Sequence, residues 1–140
     1  MNYIDLGLPS CTLWADENAE GYYAFDEAKK KFRESLPTIE QWQELIDNCE
    51  WLWDLKKKQM VVIGKNGNKI ILPAAGGRDG INLYGVGSNG YYWSSSIYTD
   101  RQGYAYYVHF YSGGVYRFDC SRFSGQSVRL IKNTSKDIKL

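Results

Sequence analysis

The spacing of hydrophobic positions changes period twice along the chain. Near the start, Tyr3-Ile4-Asp5-Leu6 alternates, the pattern of a half-buried strand. After a turn at Leu8-Pro9-Ser10, Thr12-Leu13-Trp14-Ala15 reads as a second strand. Over 25–32 the apolar Phe25, Ala28 and Phe32 fall at helical spacing, with Lys29, Lys30 and Lys31 near the end that favours positive charge. A second helix is predicted to begin at Leu36-Pro37-Thr38-Ile39-Glu40-Gln41, because Thr38 is a good N-cap and Gln41 three residues on completes a capping box. That helix presents Ile39, Trp42, Leu45 and Ile46 on one face. The period then returns to two. Trp51 and Trp53 lie in an alternating run, and Met60-Val61-Val62-Ile63 and Ile70-Ile71-Leu72 flank Asn66-Gly67, a hairpin signal. After Pro73 the chain reads as glycine-rich loop up to Gly90. Further strands are expected over 91–94, 104–111, 115–118 and 127–131. Two early helices followed by antiparallel strands make this an α+β protein, with Trp14, Trp42 and Trp93 in the core.

Composition divides the same chain differently. At 140 residues, with 44% hydrophobic and 24% charged positions, it is one folded domain spanning 1–140, large enough to bury a core without staples. Glutamate stops at Glu50, and lysine is absent from Ile70 through Ile131. Ten of the 14 glycines and nine of the 12 tyrosines fall between Gly76 and Ser127, so the front half has a Lys/Glu surface and the back half a Tyr/Ser/Gly surface. The net charge of +1 gives no electrostatic footprint for nucleic acid. No apolar run is long enough to insert in a membrane as a helix. Met1-Asn2-Tyr3-Ile4-Asp5 lacks the pattern of a leader, which leaves a chain not exported by itself or one whose leader has been removed. Cys11, Cys49 and Cys120 are too scattered to suggest a disulfide framework or a zinc site.

An ordered series of short motifs carries a resemblance. Tyr3-Ile4-Asp5-Leu6-Gly7-Leu8-Pro9-Ser10, Leu13-Trp14-Ala15, Leu36-Pro37-Thr38, Trp42, Glu44-Leu45-Ile46, Leu72-Pro73-Ala74-Ala75-Gly76, Arg78-Asp79-Gly80, Tyr91-Tyr92-Trp93-Ser94-Ser95-Ser96, Ser112-Gly113-Gly114-Val115 and Gly125-Gln126-Ser127-Val128-Arg129 resemble the Fibrobacter succinogenes major paralogous domain family over nearly the whole chain. The resemblance implies a C-type lectin-like fold of the formylglycine-generating-enzyme branch, in which the strand Tyr3 to Leu6 pairs near the strand Ser127 to Ile131. That branch includes the ligand-binding variable proteins of diversity-generating retroelements, which display a tract mutated at adenines. A phage or bacterial surface is the setting it implies. Cys11 departs from the pattern, since the family usually has Gly there, and is expected to strain its turn. The related oxidase holds copper with a close pair of cysteines near its C-terminus. Here only Cys120 stands there, so that activity is expected to be absent.

Other candidate chemistry is weak on its own terms. Gly85-Val86-Gly87-Ser88-Asn89-Gly90 has G-x-G-x-x-G spacing, but it runs into a predicted strand, not the helix that a dinucleotide phosphate needs. Asp79, Asn82 and Asn89 could offer oxygens to calcium, which wants more carboxylates than this loop supplies; a plain turn is expected, and the sugar-binding calcium motifs of true C-type lectins are absent. Asn133-Thr134-Ser135 matches a glycosylation sequon by chance. A Cys120–His109 nucleophile oriented by Asp119 is not demanded by any spacing. The lysine runs 29–31 and 56–58 read as solvated faces. No catalytic residue, metal or cofactor is expected.

The Tyr/Ser/Gly tract is what remains. Tyrosine gives broad amphipathic contact at low entropy cost, with Ser, Gly and Asn adapting around it, the chemistry of a paratope. Lys and Glu, depleted at interface cores, are missing. Alternation over 104–111 places Tyr106, Val108 and Phe110 in the core and displays Tyr107, His109 and Tyr111. Across the Ser112-Gly113-Gly114 turn come Tyr116 and Phe118, and Tyr98, Asp100 and Arg101 lie in the preceding loop. These eight displayed residues are the expected ligand-binding set. Tyr, His, Phe, Asp, Ser, Gly, Cys and Arg are all reached from an Asn codon by replacing adenines, as in a retroelement target. The expected function is a non-enzymatic module that binds a protein or glycan ligand on a cell surface. The alternative is a structural or adhesive surface domain with no dedicated pocket.

Overall fold

The computed structural model describes residues 1–98, 100, 101 and 103–134. It opens with β1 (Tyr3–Asp5) and β2 (Leu13–Ala15), antiparallel, with Ile4 opposite Trp14. Helix α1 (Phe25–Phe32) and helix α2 (Ile39–Asn48) follow, joined through a 3-10 turn at Arg33–Ser35. The expected capping box starts α2: Thr38 Oγ accepts from the Gln41 amide at 3.1 Å, and Gln41 Oε1 accepts from the Thr38 amide at 2.9 Å. Next come β3 (Glu50–Asp54), β4 (Gln59–Ile63) and β5 (Lys69–Pro73), a meander in which the Asn66-Gly67 segment turns with Gly67 at φ +87°. Residues 74–89, expected to be loop throughout, contain a short hairpin of β6 (Gly77–Asp79) and β7 (Asn82–Tyr84). Three long strands follow: β8 (Gly90–Ile97), β9 (Tyr104–Tyr111) and β10 (Gly114–Ser121), in sheet order β10-β9-β8. The last described strand is β11 (Ile131–Lys132).

The first and last strands meet in one sheet of order β1-β2-β11, with β2 between them. The strand expected over 127–131 is shorter and displaced. Its segment threads between sheets, spending its backbone groups on single bonds: Ala19 N–H to Val128 O and Ala15 N–H to Leu130 O, both near 2.9–3.0 Å. Only Ile131 and Lys132 form a ladder.

Apolar side chains gather on two sides of the β8–β10 sheet. The main core joins Trp14, Trp42, Leu45, Val62, Leu72, Tyr92, Val108 and Phe110. A second core joins Phe25, Ala28, Leu36, Trp93, Ala105 and Val128. Trp14, Trp42 and Trp93 are fully buried, as expected. The Trp42 indole N–H links the two cores, donating to Trp93 O at 3.2 Å, and within the second core the Trp93 indole donates to Tyr23 O at 2.7 Å, since a buried donor left unpaired is costly.

Two polar devices fix the frame. The first is a bulge: Trp93 opposes Tyr107 and Ile97 opposes Ala105, so Ser94, Ser95 and Ser96 together face Tyr106 alone. Ser94 Oγ donates to Tyr106 O at 2.7 Å, Ser95 N–H donates to Pro37 O at 2.7 Å, and Ser96 Oγ accepts from the Ile39 amide at 3.0 Å. Lys29 Nζ reaches Ser95 O at 3.0 Å, so both helices dock on this bulge. The second is Arg129, fully buried. Its guanidinium donates to Ala15 O at 2.9 Å, to Asn18 Oδ1 at 2.7 Å and to Ile71 O. The Tyr92 hydroxyl lies 3.1 Å from the same Asn18 oxygen and 3.0 Å from Pro73 O. Burial lowers the Arg129 pKa and pushes the Tyr92 phenol up to about 12.

Candidate aromatic surface on the long sheet

Successive side chains of a strand leave opposite faces, and the register of β8, β9 and β10 decides which residues share each face. Tyr92 stands opposite Val108, and Val115 opposite Phe110. This face packs into the main core, with Tyr106 half-buried against it. On the other face Tyr91 stands opposite His109, Trp93 opposite Tyr107, Tyr116 opposite His109 and Phe118 opposite Tyr107. One end of this second face is itself covered. Trp93, Ala105 and Cys120 lie there against the second core, which also holds Phe25 of α1.

The other end is open and aromatic. Tyr91 and His109 stack with centroids 4.8 Å apart and planes 7° from parallel. His109 stacks on Tyr111 at 5.6 Å, and Tyr111 on Tyr116 at 6.0 Å. Phe118 touches Tyr107, His109 and Tyr116 at 6.1–6.3 Å. Tyr84 of β7 extends the row at its edge, 5.5 Å from Tyr91. Tyr111, Tyr116 and Phe118 are 38%, 41% and 48% exposed, so much of this contact area meets solvent.

The surface is held neutral. Burial raises the phenols of Tyr84 and Tyr91 and pushes Tyr107 up to about 12. The hydrogen bond to Tyr111 raises Tyr116, and burial lowers the His109 imidazolium pKa. His109 Nε2 lies 2.7 Å from Asn89 Oδ1. A carbonyl oxygen accepts, so Nε2 carries the proton of the neutral ring. Asn89 Nδ2 in turn donates to Ser88 Oγ at 2.9 Å.

The expected set divides. Tyr107, His109, Tyr111, Tyr116 and Phe118 are brought together. Tyr98 is not among them: its ring packs 5.3 Å from Tyr106, on the face toward the main core. Asp100 and Arg101 lie exposed in the β8–β9 loop, with Arg101 over Tyr104 at 4.3 Å; Thr99 and Gln102 of that loop lie outside the described residues. Tyr107 is half-buried at the border of the second core, less displayed than alternation alone implies. Tyr84 and Tyr91 belong to the surface and were not singled out by sequence. Alternation within Tyr91-Tyr92-Trp93 gives two faces but not which one is covered, and Tyr84 arrives through the unforeseen hairpin.

The other candidates resolve plainly. Gly90 opens β8, so the glycine motif leads into a strand, and a Cβ at Gly90 would stand 2.1 Å from the Phe110 ring. The Asn89 amide is committed to His109 and Ser88, and Asp79 and Asn82 close the β6–β7 hairpin. Among the described residues no three His, Cys, Asp or Glu side chains gather to hold a metal. Cys120 stands opposite Ala105 and His109 opposite Tyr116, so the strand register keeps them apart. Burial pushes the Cys120 thiol up to about 11, and its sulfur accepts from Gln126 Nε2 at 3.2 Å, the reverse of an activated thiolate. Among the described residues no helix is long and apolar enough to cross a membrane. The sequon's Ser135 lies outside the described residues.

A family model described as a domain of unknown function, DUF8237, matches residues 44–131, more than half of the chain. The chain therefore belongs to that family. The match begins within α2 and ends at the first residue of β11, so it includes the whole aromatic surface. No curated protein and no solved structure matches the sequence.

Proposed function

We propose that this is a non-enzymatic ligand-binding domain, and that the open aromatic end of the β8–β10 sheet is its binding surface. The observation that carries the reading is the unbroken, uncharged row from Tyr84 through Tyr91, His109, Tyr111 and Tyr116 to Phe118. Exposed aromatics clustered on a folded scaffold are usually kept for contact, and rings of Tyr with little entropy to lose suit a protein or glycan on a cell surface. Separation of His109 from Cys120 and the protonated thiol favour binding over catalysis. The same reading takes the fold as C-type lectin-like. Support comes from the two helices and from β1 and β11 both pairing with β2. It also takes the tract from Tyr98 to Phe123 as a retroelement-type display segment. Differences among related clones confined to that tract would support it, and scattered differences would speak against it.

The binding test is paired. A panel of bacterial surface proteins and glycans is screened by biolayer interferometry, and hits are re-measured with Tyr111→Ala and Tyr116→Ala. Each substitution is expected to weaken binding by about 2 kcal/mol while leaving stability within about 0.5 kcal/mol. Phe110→Ala, in the core, is expected to cost about 3–5 kcal/mol of stability. A genuine ligand whose affinity ignores both tyrosine substitutions would overturn the site.

A further inference from the structure

Strand β10 is the free edge of the long sheet. It pairs with β9 over eight residues, Gly114 to Ser121, without a register shift. Natural edges are commonly blunted by bulges, proline or charged side chains; Gly-Val-Tyr-Arg-Phe-Asp-Cys-Ser has no bulge, proline or lysine, and its two charges are of opposite sign, so they can complement a second copy of the same edge. Gly114 pairs with Tyr111 across the two-residue turn Ser112-Gly113. The pair closing such a turn is hydrogen-bonded, and bonding alternates from there. Residues 114, 116, 118 and 120 therefore bond inward to β9, while Val115, Arg117 and Asp119 turn their amide and carbonyl groups outward.

Arg117 and Asp119 also share a face, being opposite Val108 and Tyr106 in β9. Arg117 lies over the Tyr106 ring at 5.6 Å and reaches Gln43 at 3.2 Å. Among the described residues the one ion pair joins Arg122 to Asp26, so neither charge on this edge has an ion-pair partner among them. An antiparallel strand related by a two-fold axis at Phe118 would set Arg117 against Asp119 of a second copy, and Asp119 against its Arg117. Those are both outward-bonding positions, so the register also satisfies the backbone. Axes at Arg117 or Asp119 would set like charges together, and an axis at Tyr116 would pair neither. The exposed Phe118 would meet its own symmetry mate at a position where paired side chains lie close.

We propose that the chain forms a two-fold dimer through β10, with Phe118 on the axis and reciprocal Arg117–Asp119 pairs, joining two three-stranded sheets into one. This is an isologous interface, closed by its own symmetry. The inference rests on the strand edge and its charges and does not require the ligand reading above, although it shares Phe118 with that surface and would set two aromatic surfaces side by side.

Sedimentation velocity tests it with Arg117→Asp, Asp119→Arg, the two mixed, and the double exchange, each checked for folding by circular dichroism. The unaltered protein is expected to dimerise reversibly. Each single reversal makes its edge all acidic or all basic, and is expected to weaken self-association at least about tenfold, as like charges directly opposed do. Mixed in equal amounts, the two single variants should form a heterodimer, because acidic then faces basic at both pairs; the double exchange should restore the homodimer. A monomeric unaltered protein, a single reversal that dimerises as well as the original, or a folded mixture that stays monomeric would each overturn the proposal. So would protection of the Arg117 and Asp119 amides from hydrogen exchange only on adding a foreign extended peptide, which would make the edge a site for another chain.

Discussion

Cys11 has φ +64°, a left-handed backbone that costs an L side chain about 1–2 kcal/mol. Its amide donates to Leu8 O at 3.0 Å to close the turn after β1, and its side chain is exposed. The strain was expected in the sequence because the pattern that the chain resembles usually has glycine at this place. Cys11→Gly is expected to stabilise the fold by about 0.5–1 kcal/mol, after glycine's greater unfolded freedom is discounted. A raised urea midpoint with unchanged slope would show it. His109 gives a second residue-scale prediction. Burial lowers its folded pKa below the ordinary imidazole value, so well above pH about 6.5 both folded and unfolded rings are neutral and nothing is lost. As pH falls below that, the unfolded state takes up the proton first, and stability declines. His109→Gln should flatten the fall in Tm between about pH 7 and 5 relative to the unaltered protein; an identical slope would contradict this. Alternation in β9 sufficed to bring Tyr107, His109 and Tyr111 to one face. It could not show that the second core, with Phe25 of α1, covers the end of that face where Trp93 and Ala105 lie, which is why Tyr107 is half-buried. Nor could it place Tyr98, which follows the serine bulge and turns to the opposite side.

At the scale of elements, local signals did well where a whole turn or several alternations were available. Helix α1 spans the residues its spacing marks, and α2 begins at its capping box. Thr38→Ala removes the acceptor for the Gln41 amide and should cost about 1 kcal/mol, read from thermal unfolding. Because Ile39 N–H separately bonds Ser96 Oγ, the helix should stay docked, so near-UV circular dichroism should keep its native form. The elements that sequence missed carry no local period. The β6–β7 hairpin has strands of only three residues, too short to show a period, and Gly77 is flattened beneath the Tyr84 hydroxyl, 2.6 Å from where a Cβ would stand. Within 126–131, Gln126 and Ser127 bridge singly to Tyr23 and Tyr92, a pattern no local periodicity encodes.

At the scale of the molecule, the fold class was legible because two amphipathic helices and a run of alternating strands have different periods. The polar lock that closes the fold was not, because it is Arg129, a residue type seldom buried. Its guanidinium meets neutral oxygens of Ala15, Asn18 and Ile71, joining β2, β5 and the segment before β11. Arg129→Lys keeps a charge but cannot span those oxygens together, and is expected to cost about 3 kcal/mol or more, since a buried charge would be left poorly satisfied; denaturant unfolding measures it. The placing of β2 has a consequence for how the protein is made. Trp14 is synthesised early, yet its neighbour Ile131 comes more than a hundred residues later. On the ribosome β2 must therefore wait with one edge bare and an indole uncovered until almost all of the chain has emerged. Nascent chains arrested after Gly125 should remain open to protease, while chains released beyond Lys132 resist it. The interval between those two points is when the growing polypeptide depends most on whatever shields exposed apolar surface in the cell.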